Sequence, residues 1–351
     1  MNKIYGIQYL RAFAALSVVA LHAGKRVEAD LPEPLYHVLL LGHGGVDLFF
    51  VISGFIMWSI SQKKETEPGG FLVRRLIRVA PPYWIATICF VLVSLVIGSA
   101  WVELSTPHIL KSLAFVPHFN ATQPARIWPV LVPGWTLNYE MFFYILFAAT
   151  LLVAKSARFF VLTGLLFALV AVGYAAKPAD AITITYTSPL LLEFLGGVVV
   201  ARIWQSAPGG VLRNGLLIAI AAVAFLVLGP QVDPTDYWSR TIGFGGPGIL
   251  LVSGVAGLAG RVPQLPVLER LGDASYAIYL FHLFVVVPMQ VVWVAMPDLH
   301  GPGTAMAFVV VVLGLSALLG NVLYLYMERP LQIGLSNLLL NRNRRQQVAS
   351  R

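Results

Sequence analysis

The chain has 351 residues, of which 58% are hydrophobic and 11% charged, and its mean hydropathy is +0.78. Soluble domains carry about 25% charged residues, and no water-soluble fold of this length can bury so much apolar surface. The net charge of +8 does not require a nucleic-acid partner, because Lys and Arg gather in the loops of one side. The single cysteine, Cys89, excludes an intrachain disulfide and a thiolate metal site; inside an apolar run, it reads as a small buried hydrophobe.

The composition predicts an all-α integral membrane protein, a bundle of about ten transmembrane helices. The first segment, 1–24, places Lys3 ahead of an apolar run from Ala12 to Ala23, short enough for a signal peptide. Lys25 and Arg26 follow where a small-x-small cleavage site would stand, so the segment reads as a retained first helix. Hydrophobic stretches of spanning length then lie near 7–24, 43–61, 81–101, 136–154, 158–175, 187–205, 212–229, 241–259, 275–295 and 304–326. Most connections are short, which makes successive helices antiparallel neighbours. The exception is 102–135, with Pro107, Pro117, Pro124, Pro129 and Pro133. It is too proline-rich to span and too apolar for a linker (Phe115, Phe119 and Trp128 lie in it, with Trp101 and Trp135 at its edges), and reads as an ordered cap on one membrane face. Residues 1–335 form the membrane domain and 336–351 a basic tail. Of the 24 Lys and Arg, 18 fall on the side of the termini; six, namely Lys25, Arg26, Lys111, Arg126, Lys177 and Arg240, fall on the other. The positive-inside rule therefore puts both termini in the cytoplasm.

Ionisable groups within spans are costly and mark function by default. Arg11 and His22 are eleven residues apart, three helical turns plus roughly 20°, so they share one face and lie about 16 Å apart along the axis. Arg11 alone reads as a snorkelling anchor, and His22 alone as an interfacial histidine. Together they suggest an anionic head held near the cytoplasmic end and a reaction centre further up. In Arg74-Arg75-Leu76-Ile77-Arg78, Arg75 and Arg78 are one turn apart and can grip a polyanion, although arginines at a span end also serve topology. Glu140, just inside a span after Gly134-Trp135-Thr136-Leu137-Asn138-Tyr139, can orient or balance a histidine, or simply complement a helix N-terminus. Asp47 is similarly placed. Ser275, Tyr276, Tyr279 and His282 form another polar group, Tyr279 and His282 on one face, against the alternative of interhelical hydrogen bonding. Gly243-Phe244-Gly245-Gly246-Pro247-Gly248 lacks the lysine and strand context of a phosphate loop, which leaves close packing or a helix break. Neither a metal-binding nor a nucleotide-hydrolysing motif is present, and no metal is expected.

These motifs resemble the membrane acyltransferase-3 family, and within it the bacterial exopolysaccharide O-acetyltransferases. The resemblance is carried by Gln8-Tyr9-Leu10-Arg11 leading to His22, by Gly45-Val46-Asp47-Leu48-Phe49-Phe50 through Gly54-Phe55, and by Arg75-Leu76-Ile77-Arg78 with Pro82-Tyr83-Trp84. Trp135-Thr136-Leu137 to Glu140 and Ser275-Tyr276 through His282 complete it. It implies a ten-helix acyltransferase of a bacterial inner membrane, with no bound cofactor and acyl-CoA, usually acetyl-CoA, as co-substrate. The acceptor it implies is a hydroxyl of an exported polysaccharide or lipid-linked oligosaccharide, handled amid membrane lipid and beside polysaccharide synthesis and export machinery. It carries His22 over as catalytic histidine, Glu140 as a functional acid, and Arg11, Arg75 and Arg78 as acyl-CoA-binding residues. Asp47, Tyr83, Ser275, Tyr279 and His282 stand as supporting residues. His22 can serve as general base or as nucleophile, and Glu140 or Asp47 can partner its imidazolium. The alternatives from other classes are a transporter or flippase of a lipid-linked sugar and a non-catalytic synthase subunit.

Overall fold

The computed structural model describes residues 3–63, 67–97, 104–207 and 209–349. Lys64, Trp101 and Arg351, and the side chains of Arg342, Arg344 and Arg345 in the basic tail, lie outside the described residues.

Every regular element among the described residues is helical. In chain order they are α1 (Tyr5–Gly24), α2 (Glu33–Leu40), α3 (Gly44–Lys63), α4 (Pro68–Ile97), α5 (Thr106–Leu113), α6 (Trp135–Thr150), α7 (Arg158–Ala176), α8 (Ala181–Tyr186) and α9 (Leu191–Ser206). There follow α10 (Val211–Leu228), α11 (Tyr237–Arg240), α12 (Gly246–Gly257), α13 (Pro266–Asp273), α14 (Ser275–Phe281), α15 (Leu283–Val294), α16 (Pro302–Leu323) and α17 (Arg329–Ala349). A bilayer offers no water to unpaired backbone groups, so helices of this length and apolarity are the form such segments take.

Among the described residues seven helices are long and apolar enough to cross a membrane. A pair bent by 43°, α14 with α15, makes eight if it counts as one span. The apolar stretch 136–154 forms a helix of 16 residues, and 241–259 opens with a π-helical turn, Thr241–Gly245, before the 12 residues of α12. The segment 43–61 lies within a longer helical run, Glu33–Gln62. Helix α4 starts well before residue 81 and takes the three arginines into the same helix as the apolar run, with Pro81 and Pro82 inside it.

The chain divides into two compact units, one of residues 1–63 and 192–323, the other of 64–191 and 324–351. In the first, α1 is the hub, packed against α3, α12, α13, α14 and α16. Its Ala14, Ala15 and Val19 are fully buried, and such small residues let helix backbones approach where lipid gives no hydrophobic drive to associate. Gly45 of α3 meets α1 so closely that a Cβ there would lie 2.5 Å from the Ala14 carbonyl oxygen. The crossing of α3 and α9 is built the same way: a Cβ on Gly54 would lie 1.9 Å from Phe194 O, and one on Gly197 1.9 Å from Val51 O. Helix α10 is the outer counterpart, with only 11% of its apolar window buried, as expected of a lipid-facing surface.

In the second unit α4 packs against α5, α6 and α17, and α6 against α7 and α8. Within the described part of the proline-rich segment, 104–135, the Trp84 indole donates to Leu113 O (2.8 Å), and Ser112 Oγ accepts from Val130 N–H (3.0 Å) while donating to His108 O (2.7 Å). Cys89 is exposed rather than buried. Ile88 and Leu92 beside it are exposed too, so the apolar run that suggested a core position is the outward face of a helix whose neighbour is lipid.

Candidate active site

His22 occupies the last turn of α1, where Gly42 and Gly45 bring the start of α3 hard against Ser17, Val18 and Leu21. Its Nδ1 lies 2.8 Å from Val18 O. A carbonyl only accepts, so Nδ1 carries the proton and Nε2 presents its lone pair. The His282 ring lies 4.9 Å away, centroid to centroid. His282 stands at the break between α14 and α15 and repeats the arrangement, Nδ1 donating to Tyr279 O at 2.6 Å. Its Nε2 is buried with no hydrogen-bond partner. The Tyr279 ring lies 6.2 Å from His282 and packs edge-on against Phe49 of α3 at 5.9 Å. Ser275 is buried at the head of α14, its Oγ without a partner.

Arg11 is buried on α1 and donates to Gln8 Oε1 at 3.0 Å. The α1 turn that carries it is fastened to α13. Tyr9 donates to Pro263 O (2.7 Å) and accepts from Leu265 N–H (2.6 Å), and Gly272 passes so close to Gln8 that no Cβ fits. Beyond the end of the span, Lys3 bonds Glu269 at 2.6 Å and Asp273 at 2.8 Å. These bonds, Lys3 first and Gln264 second, hold the Glu269 carboxyl below its ordinary range.

Asp47, one of two candidate partners for the imidazolium, is held elsewhere. Arg240 grips it with a fork, Nη2 to Oδ2 at 2.6 Å and Nε to Oδ1 at 3.3 Å, and also donates to His43 O. Both side chains are buried. Glu193 of α9 interacts electrostatically with the same pair and is fully buried, with neither carboxyl oxygen hydrogen-bonded. Gly245 makes room for it, since a Cβ there would lie 2.8 Å from the Glu193 side chain. The glycine-rich segment is thus a π-helical turn packed closely on a buried acid; π-bulges recur at functional sites. From the sequence Arg240 reads only as a loop charge, and Glu193 is not among the expected site residues. Yet Glu193 lies inside the apolar stretch 187–205, and the rule that flagged His22 and Arg11 applies to it equally.

In the second unit, Arg75 of α4 stands 5.7 Å over the Phe71 ring, with its Nε buried and unpartnered. Arg78 and, on α6, Glu140 and Tyr144 are its electrostatic neighbours. Tyr144 donates to Glu140 Oε1. Two of the three arginines expected to bind the donor, Arg75 and Arg78, therefore share one neighbourhood with the functional acid Glu140, while Arg11 belongs to the first unit. Tyr83 is fully buried, donates to Ser112 O at 3.1 Å and packs on Phe115 at 5.0 Å, tying the 104–135 segment to α4. Among the described residues no three His, Cys, Asp or Glu side chains converge to hold a metal ion.

Residues 4–324 match the acyltransferase-3 family, described as an acyltransferase domain. The chain belongs to that family. It is 38% identical over 302 residues to the exopolysaccharide production protein ExoZ of Rhizobium meliloti (strain 1021), covering 85% of this chain and 92% of the relative. It is 26% identical over 259 residues to the acyltransferase MdmB of Streptomyces mycarofaciens, covering 63% and 64%. A Staphylococcus aureus (strain COL) protein provisionally named an O-acetyltransferase matches at 26% over 263 residues, 65% of this chain and 40% of that one. No solved structure matches. The protein is a multi-pass membrane enzyme, an acyltransferase of groups other than aminoacyl groups.

Proposed function

We propose that the enzyme is an O-acetyltransferase of a bacterial inner membrane, moving acetyl from cytoplasmic acetyl-CoA to a hydroxyl of an exported polysaccharide or its lipid-linked precursor. The relative named for exopolysaccharide production supports the acceptor class. In this reading α6 and the α11–α12 segment complete ten spans, and both termini lie in the cytoplasm.

The observation that carries the chemistry is the 2.8 Å approach of His22 Nδ1 to Val18 O, which assigns the proton to Nδ1. With Nδ1–H committed to Val18 O, Nε2 is a bare base. It takes the acceptor's hydroxyl proton while that oxygen attacks the thioester carbonyl carbon. The carbon–sulfur bond breaks, and the proton passes to the departing sulfur. Arg75 and Arg78 hold donor phosphates, as planar guanidinium groups do. Glu140 orients Arg75, and Arg11 of α1 is a further donor-binding cation. Arg240 occupies Asp47, so Asp47 serves the scaffold and not the imidazolium.

The test is transfer of radiolabel from acetyl-CoA to a polysaccharide-precursor extract by the full chain in lipid. His22→Ala is expected to insert and fold normally and to lose about 100-fold or more of the rate. Transfer by His22→Ala at the wild-type rate would remove His22 from the chemistry.

A further inference from the structure

The mechanism above uses His22 and leaves His282 idle, yet its geometry is not that of a settled core histidine. The large majority of buried side-chain polar atoms have a partner. His282 is 1% exposed, and its Nε2 has none. Both rings are in the same tautomer for the same reason, Nδ1–H given to a carbonyl three or four residues earlier. Two bare acceptor nitrogens thus belong to rings whose centroids are 4.9 Å apart. Among the described residues no group is hydrogen-bonded to His282 Nε2, and the two imidazoles make no hydrogen bond to each other.

What fits a pair of bare acceptors is a ligand with two adjacent donors. The thioester end of the donor does not qualify, because its carbonyl oxygen and sulfur only accept. A sugar with two neighbouring free hydroxyls does. We infer that His282 accepts a hydrogen bond from the hydroxyl next to the one being acylated, so that the acceptor class of this enzyme is a vicinal diol. This rests on the proposed sugar O-acetyltransferase reading. In the reaction His22 Nε2 takes the proton of the reacting hydroxyl, the new carbon–oxygen bond forms as carbon–sulfur breaks, and the thiol leaves with that proton. The second hydroxyl keeps its proton, donates to His282 Nε2 throughout, and fixes which oxygen faces the thioester.

The experiment uses the full chain in lipid nanodiscs with acetyl-CoA, and methyl glucoside and methyl galactoside beside their monodeoxy analogues. The wild type is expected to lose about 100-fold in kcat/KM on analogues lacking the neighbouring hydroxyl, because a site built to pair a substrate hydroxyl is left unpaired by its absence. His282→Phe should lower the diol to the level of the deoxy analogue and no longer tell them apart. His282→Gln, whose amide oxygen falls near the Nε2 position, should restore part of the discrimination. Equal use of diol and deoxy acceptors by the wild type overturns the inference. So does a His282→Phe loss that is proportionate on both, which is the mark of a purely structural residue or one bound to water.

Should neither glycoside be acylated, the precursor extract is tested before and after periodate, which cleaves vicinal diols and spares isolated hydroxyls. Acceptor capacity that survives periodate overturns the inference; capacity lost with it supports it. Absence of transfer to glycoside and untreated extract alike would instead overturn the acetyltransferase reading beneath it.

Discussion

Replacing Arg240 with methionine probes the buried cluster of Asp47, Glu193 and Arg240. The substitution keeps most of the side-chain volume and removes the fork that holds Asp47. Asp47 and Glu193 are both fully buried, so the change leaves two acids in a low-dielectric interior without their guanidinium. A unit charge pair about 4 Å apart is worth about 4 kcal/mol at an effective dielectric of 20. Removing one partner of a buried pair costs about 3–5 kcal/mol in practice, because the other charge stays behind. Arg240→Met should therefore lose that amount in an SDS unfolding titration from mixed micelles. Asp47→Asn should cost less, since Arg240 retains Glu193 as an acidic neighbour. The triple variant Asp47→Asn, Glu193→Gln, Arg240→Met should recover most of the loss, as uncharged replacements of buried ion clusters commonly do. An Arg240→Met protein within about 1 kcal/mol of wild type, or a triple variant no better than the single, would refute the electrostatic account of this cluster.

At the α3–α9 crossing, Gly54→Ala and Gly197→Ala each force a Cβ to within 1.9 Å of a backbone oxygen; overpacking of this kind costs about 1–3 kcal/mol. Gly164→Ala and Gly215→Ala, which meet open space, should be neutral or gain up to about 1 kcal/mol from helix propensity. The same titration checks all four, and equal losses would contradict the packing. The Glu269 carboxyl is held below its ordinary value of 4.5 by Lys3 and Gln264. A carboxyl depressed in the folded state stabilises above its unfolded pKa, and that contribution is lost as pH falls through the folded value. Amide exchange at the start of α1 should accordingly rise on acidification below the ordinary carboxyl range. It should respond less in Lys3→Met; loosening confined to the alkaline side would contradict this. Arg75→Ala and Arg78→Ala should raise the KM for acetyl-CoA more than they lower kcat, and unchanged donor dependence in steady-state kinetics would remove both from donor binding.

What could be read from the sequence was whatever lies within one helix. The eleven-residue spacing of Arg11 and His22 is a property of α1 alone, as is the single turn between Arg75 and Arg78 on α4. The cost of a polar group in an apolar run flagged His22, Asp47, Glu140 and His282 without knowledge of any neighbour. The misses have physical causes. Cys89 was misplaced because a lipid-facing helix has no polar side to betray which face is outward, and apolarity in a bilayer does not mean core. Arg240 precedes its apolar stretch, so charge counting put it in a loop. The π-helical turn that follows it, and the fork onto a residue of α3, exist only in three dimensions. Apolar length alone also does not reveal that 136–154 forms a helix of 16 residues or that 241–259 is interrupted by that turn. The pairing of His22 with His282 is the deepest instance. Each histidine is visible in its own motif, near opposite ends of the chain, and each alone has a bland explanation. Only the packing of α14 on α1 sets two identical tautomers side by side. It turns two separately dismissible residues into one site whose unsatisfied atoms specify what a ligand must donate.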